Sequence, residues 1–414
     1  MAFVTTPTLV AFGGSSSGDV VISVGSPPGL LIVFSGGSIA NTIVTSGGSA
    51  VITTGGTATG TFLQNVDGGG QEVSGTSALA INTLIASGGL EIVESGGVTS
   101  AATVFAGGLE LVSAGGLAKG MVVNGGAAFV SSRGIASGTQ VINGGILGVA
   151  GTDSGALVGA GGTFNLGSSG STDSGTSVAG GTMNVLSGGT ASGTSVSNGG
   201  TLNVSSGSTV DSATVGSSGT LNVSSGGTAS GTSVSNGGTL NVSSGGSADG
   251  VTVGSSGTLN VLSGGTVSGL KTDDPNDQGV TALAIVQSGG TVDGTTRIDG
   301  GELLLDKGAV FEAHAKLILT DTAELALGQD TFNGTIEGFG GQDFMDLTHI
   351  RFVGQGAGAT TETFTQTSAA GGTLAVSQGS HTANLHLTGI YTTANFALQS
   401  DGAHGTVVTF VPPA

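Results

Sequence analysis

The side chains able to do acid–base or metal chemistry are few and unevenly placed. The chain of 414 residues holds 26 Asp and Glu, 7 Lys and Arg, 5 His and no Cys, and all five His lie beyond residue 310. The segment GFGGQDFMD, Gly338 to Asp346, matches the calcium-binding nonapeptide G-G-x-G-x-D-x-U-x except at Phe339. Calcium wants many oxygen ligands, and such nonapeptides complete their cage with neighbouring copies. One copy is present, so Asp343 and Asp346 are candidate calcium ligands, with a turn bearing a solvated carboxylate as the competing reading. His381 and His386 stand five apart on a strand-like stretch and so point to opposite faces; His349 follows Asp346 by three, with the same result. Asn-Val-Ser recurs at Asn203, Asn222 and Asn241 and satisfies the N-glycosylation sequon, but a repeat would produce that recurrence unaided. Without Cys there is neither a disulfide framework nor a thiolate metal site. Polysaccharide lyase or epimerase chemistry needs carboxylates clustered with Lys, Arg or His. Up to residue 270 only Lys119 and Arg133 are available, no cluster is apparent, and no enzyme is expected.

What remains is mostly small and polar, and composition bounds what it can build. Only 8% of residues are charged and 84 are Gly, while 37% are apolar. A solvated disordered chain needs high charge and few apolar groups, so order is expected, supplied by repetition rather than by large side chains. The net charge of −19 argues against nucleic acid and against anionic membrane surfaces, both of which require clustered basic residues. The apolar run Leu30 to Phe34 falls far short of the ~20 residues that span a bilayer, so no membrane insertion is expected. No basic segment precedes an apolar core, so no N-terminal secretory signal is visible.

The repetition is explicit. The tetrad T-x-N-x begins at Thr163, Thr182, Thr201, Thr220, Thr239 and Thr258, always 19 residues apart. Toward the N-terminus the period survives as Gly-Gly followed by an alternating segment at Gly69, Gly88, Gly107, Gly125 and Gly144. Within a unit the pattern has period two: Leu221 and Val223 share one face, Thr220, Asn222 and Ser224 the other. A second stretch places Val234 opposite Ser233 and Ser235, and the tenth position of the unit is Ala or Val at Ala191, Val210, Ala229, Ala248 and Val267. Gly-Gly and Ser-Gly pairs punctuate the turns, and helical spacing is absent. The pattern predicts an all-β protein, a parallel β-helix or β-solenoid of ~19-residue coils, each giving two or three short strands that stack on the next coil at roughly 4.8 Å. No Pro falls between Pro28 and Pro275, where each would remove a ladder donor.

Residues 1–28 read as an N-terminal cap and 29–327 as the repeat array, with a loop insertion at 271–279. Residues 328–414 read as a β-rich C-terminal cap containing the strand-like segments TLAVS, TANLHL, NFALQS and TVVTFV.

The unit GGTLNVSSGGTASGTSVSNGG resembles the 19-residue strand-loop-strand repeats of AIDA-type bacterial autotransporter adhesins, over roughly residues 29–300. That resemblance implies a right-handed parallel β-helix displayed outside the cell in adherence, autoaggregation and biofilm, sometimes glycosylated on repeat Ser and Thr. The chain departs from an autotransporter in showing neither a signal peptide nor a large C-terminal barrel. Its last ~85 residues, with DTFNGTIEGFGGQDFMDLTHI and HTANLHLTGIYTTANFALQSDGAHGTVV, look like the ends of type I secreted proteins, which implies export without an N-terminal signal.

The outward face is therefore the expected working surface. Thr182, Thr201, Thr220, Thr239 and Thr258 should form one column, and Asn184, Asn203, Asn222, Asn241 and Asn260 a second beside it. Aligned amides can hydrogen-bond along such a stack. These columns are the expected surface for self-association or for a ligand such as a host-cell or matrix polysaccharide. The expected protein is an extracellular, structural and adhesive one of a Gram-negative bacterium, the bacterial class resting on the resemblances. An ice-binding solenoid using the Thr column as a lattice match, and a polysaccharide-active β-helix enzyme, are the alternatives.

Overall fold

The computed structural model describes residues 3–5, 8–10, 14–22, 29–65, 69–186, 188–205, 207–243, 245–273 and 282–413. The chain divides into two compact units, Met1–Asn203 with Gly207–Val210, and Val204–Ser206 with Asp211–Ala414. Both are built of parallel β-solenoid coils.

In the first unit each complete coil supplies three short strands. Leu90–Val93, Gly97–Ser100 and Thr103–Phe105 are one such set. They pair in parallel with Leu109–Val112, Leu117–Lys119 and Val122–Asn124 of the following coil. Three ladders result, called here the first, second and third in chain order within a coil. Four-residue strands cannot bury enough to stand alone, so each depends on the coil before and the coil after. The unit begins early: Phe3–Val4, Ser15–Ser17 and Val20–Val21 already pair in parallel with later strands.

The second unit repeats the plan through Thr220–Val223, Thr239–Val242 and Thr258–Val261 on the first ladder, whose burial alternates as the period-two pattern requires. Leu221, Val223, Val234, Ala229, Ala248 and Val267 are all fully buried. The Gly-Gly corner has two separate causes. Gly237 adopts φ +79°, the left-handed region that favours Gly. At Gly238 a Cβ would lie 2.3 Å from the Val215 carbonyl oxygen of the coil beneath, so only Gly allows the approach.

Lys271–Asp273 of the expected loop insertion is a third-ladder strand, paired with Arg297–Asp299; residues 274–279 lie outside the described residues. Beyond it the strands lengthen, to Thr295–Leu305 and Lys316–Leu327. Antiparallel pairing then appears. Thr361–Ser368, Gly371–Gln378 and His381–Thr388 form a meander, and Phe396–Ser400 pairs with Thr406–Phe410. These strands contain TLAVS and TANLHL whole, and NFALQS and TVVTFV but for Asn395 and Val411. They close the open ladder: Phe344–Leu347 pairs with Thr406–Phe410, and Thr331–Glu337 with His381–Thr388. An edge that would template further pairing is thereby occupied. Phe339, Phe364, Tyr391, Phe396 and Phe410 pack together here, with ring centroids 5.6–6.3 Å apart. One 3-10 turn, Thr393–Asn395, is the only helical element among the described residues, and no helix is long and apolar enough to cross a membrane.

Candidate adhesive surface

On the first ladder, alternation sends every second side chain outward. In the first unit Thr163 stands opposite Thr182 and Asn165 opposite Asn184. The Asn184 amide donates to Asn165 Oδ1 at 2.8 Å and Asn203 to Asn184 at 2.9 Å. In the second unit Thr220, Thr239 and Thr258 align, as do Asn222, Asn241 and Asn260. There Asn241 donates to Asn222 and Asn260 to Asn241, both at 2.9 Å. Each unit therefore carries an amide ladder beside a hydroxyl column, and Thr201 occupies the equivalent outward position on its own strand. The side chains are half-buried because neighbours one coil away cover each other. Asn184 and Asn241 each donate one bond and accept one along the stack, which fixes their rotamers.

In the earlier coils of the first unit the same ladder is arranged otherwise, and the residues alone did not announce it. Gln71, Glu91 and Glu110 fill the inward position that Leu holds at 221, and all three are buried. Gln71 Nε2 donates to Glu91 Oε1 at 2.7 Å, Thr83 Oγ1 to the same oxygen at 3.0 Å, and Thr99 Oγ1 to Glu110 Oε1 at 2.9 Å. Burial raises Glu91 to about 7; burial and then the Glu91 charge raise Glu110 to about 8. A second acid pair lies on the second ladder, where Asp153 stacks on Asp173. Thr176 donates to Asp173 at 2.8 Å; burial raises Asp173 to about 6, and burial with the Asp173 charge raises Asp153 to about 8. These carboxylates face the interior and cannot meet a solvent-borne substrate.

With acids turned in, the flanking aliphatics turn out. Leu90 and Ile92, Leu109 and Leu111, and Phe129 take the outward positions that Thr and Asn hold downstream. Phe129 is 46% exposed and Ile146 42% exposed. The available signal was register: aligning Gly88-Gly89 on Gly237-Gly238 sets Leu90 on Thr239 and Glu91 on Leu240.

In the second unit's cap, Asp343 and Asp346 do not converge. Asp343 is buried, accepting from the Ala323 and Gly340 backbone amides, both at 3.0 Å, while Asp346 stands on the other parity of its strand. Burial raises both carboxyls, Asp346 to about 6. No group of three or more His, Cys, Asp or Glu suited to a metal ion occurs among the described residues. Asp330, unremarked in the sequence, joins two of the His: its oxygens lie 2.8 Å from His349 Nε2 and 3.3 Å from His381 Nδ1. His349 Nδ1 faces the Leu327 carbonyl oxygen at 3.0 Å, while its Nε2 is near Asp330 without making a hydrogen bond to it. His386 points to a different neighbour, Thr373 Oγ1, at 3.2 Å.

A family model described as an adhesin of the bacterial autotransporter system, probable stalk, matches residues 186–238. Among solved structures, the crystal structure of a TibC-catalysed, hyper-glycosylated TibA fragment is 32% identical. The match covers 69% of this chain and 97% of that one, with a TM-score of 0.55. No curated protein matches the chain.

Proposed function

Because the chain belongs to the AIDA-type autotransporter adhesins, we propose that it works outside a Gram-negative cell in homotypic adhesion, and that its outward Thr, Ser and Asn columns carry the contact. The observation that supports this reading is the amide ladder: it holds hydrogen-bonding groups rigidly at the spacing of the coils, so a second copy with the same spacing can match them row by row. Each such bond contributes only about 0.5–1.5 kcal/mol net, but rows of them act together. The hydroxyl columns are also the acceptors that sugar transfer of the kind named for the TibA fragment would need. Autoaggregation and biofilm cohesion are the roles that follow.

The net charge of −19 opposes approach of two copies, so association should rise from low to physiological ionic strength as screening grows. The test is light scattering of wild type and of a variant with Asn203, Asn222 and Asn241 changed to Asp, across a salt series, with circular dichroism confirming folding. Reduced clustering of the folded variant supports the reading. Equal clustering removes the Thr/Asn columns from it, and a wild type that stays monomeric removes homotypic adhesion altogether.

A further inference from the structure

We propose that the first-ladder face of the first unit, between Leu30 and Val149, is a second and apolar docking site whose occupant is another copy of this chain; this rests on the homotypic reading above. Seven successive strands form the face, reading LLIV, SAVI, GQEV, LEIV, LELV, AAFV and ILGV. Parallel strands that read as near-continuous apolar runs are normally covered on both sides, whereas a one-sided strand alternates. Thr220–Val223 alternates, and its outward face is polar. In six of the seven, all but GQEV, apolar side chains take outward positions as well, half-exposed or exposed, and no strand among the described residues covers them. The outward columns hold Leu30, Ile32, Val51, Leu90, Ile92 and Leu109, and continue through Leu111, Phe129 and Ile146.

Gly148 leaves the space over which Phe129 lies, since a Cβ there would come within 2.6 Å of Phe129 Cδ1. At Gly70 a notch of about 270 Å³ opens between Ser49, Val51, Glu72, Leu90 and Ile92, room for a side chain from an opposing face.

A second copy fits on three grounds. Seven coils at ~4.8 Å and four residues at ~3.3 Å give a face of roughly 440 Å² in projection on each copy. The total of roughly 900 Å² falls in the weak, reversible class, below the ~1,200–2,000 Å² of standard specific interfaces. Rows of side chains at one coil spacing interdigitate best with rows at the same spacing, as in sheets packed ~10 Å apart. Glu72 is the one charged residue in these outward columns, so two copies can meet without burying a cation or a row of like charges.

The repeat supplies its own conservative variant: Leu90→Thr, Ile92→Asn, Leu109→Thr and Leu111→Asn place at these positions the residues the downstream coils carry. Sedimentation equilibrium of the full chain, wild type and variant, over a concentration series at physiological salt is the measurement, with circular dichroism as the folding control. At least tenfold weaker self-association of the folded variant, with the Asn203/Asn222/Asn241→Asp variant losing less, supports the apolar face. A quadruple variant that associates like wild type overturns it while leaving homotypic adhesion standing. A wild type that is monomeric throughout overturns both. If the wild type is monomeric yet co-sediments with neutral phosphatidylcholine vesicles and the variant does not, the occupant is a lipid surface and the proposal fails. Should the quadruple variant not fold, Ile92→Thr alone is measured, with the same outcomes at about threefold.

Discussion

Glu91 and Glu110 show how far a single residue can depart from its ordinary behaviour inside a solenoid. Both are acids whose folded state holds a proton more tightly than the unfolded chain does. The native state therefore binds more protons between the ordinary carboxyl range and about pH 8, and unfolding free energy falls as pH rises through that window. The stabilising share is fully present below about pH 4 and is lost above about pH 8. Thermal melts should show the chain several degrees more stable at pH 5 than at pH 8.5. Glu91→Gln with Glu110→Gln should flatten that slope and raise the melting temperature at the alkaline end; an unchanged slope would place the titration elsewhere, with Asp153 and Asp173 next in line. The opposite experiment belongs at Leu221, fully buried in a column of aliphatics. Leu221→Asp buries a carboxylate with no cationic partner and should cost about 3–5 kcal/mol, while Thr220→Asp on the outer side should cost under about 1 kcal/mol. Denaturant midpoints of the two variants decide it, and equal losses would contradict the facing described here.

At the scale of the element, the ladder converts repetition into directional bonding. Asn241 sits between Asn222 and Asn260 and makes one amide bond to each. Asn241→Ala should therefore cost about twice what one exposed hydrogen bond contributes, roughly 1–2 kcal/mol, read as a shift in urea midpoint without a change in slope. The second-unit strands were legible because their inward and outward residues differ in kind, so period two fixes the facing of Leu221 and Val223 directly. In GGLEIV and GGLELV the same rule points the wrong way: it would bury the aliphatics and expose the acid. Stacking decides instead, because the Gly-Gly corner and Val93 set the register and a one-residue slip would turn every side chain over. The cap was legible as strands but not as pairings, since antiparallel partners such as Phe344–Leu347 and Thr406–Phe410 are far apart in the chain. Nor could spacing reveal Asp330 between His349 and His381, which join only through that fold. Removal of residues 328–414 should leave the coils folded and expose the Lys316–Leu327 edge, giving aggregation in size-exclusion chromatography. The same truncation, examined in the producing cell, tests whether this region directs export: continued release to the medium would reject that role.

At the scale of the whole molecule, the coils that carry the T-x-N-x strands are near-identical modules whose partners are interchangeable. Removing residues 239–257, one 19-residue unit, joins Gly238 to Thr258 and brings Thr258–Val261 over Thr220–Val223. Every inward Leu then meets a Leu and every outward Asn an Asn, so the protein should fold with melting behaviour close to the parent. Removing residues 239–258 instead sets Leu259 where Thr stood and Asn260 where Leu stood; circular dichroism should then report clear loss of structure. The Gly-Gly corner has a consequence beyond the protein. Because this corner, Gly-Gly or Ser-Gly, restarts the register before each T-x-N-x strand, a coding sequence that gains or loses whole units when copied still specifies a foldable product. Length becomes a trait that errors of replication can vary freely and inheritance can keep, whereas slips of any other size are discarded with the misfolded chain.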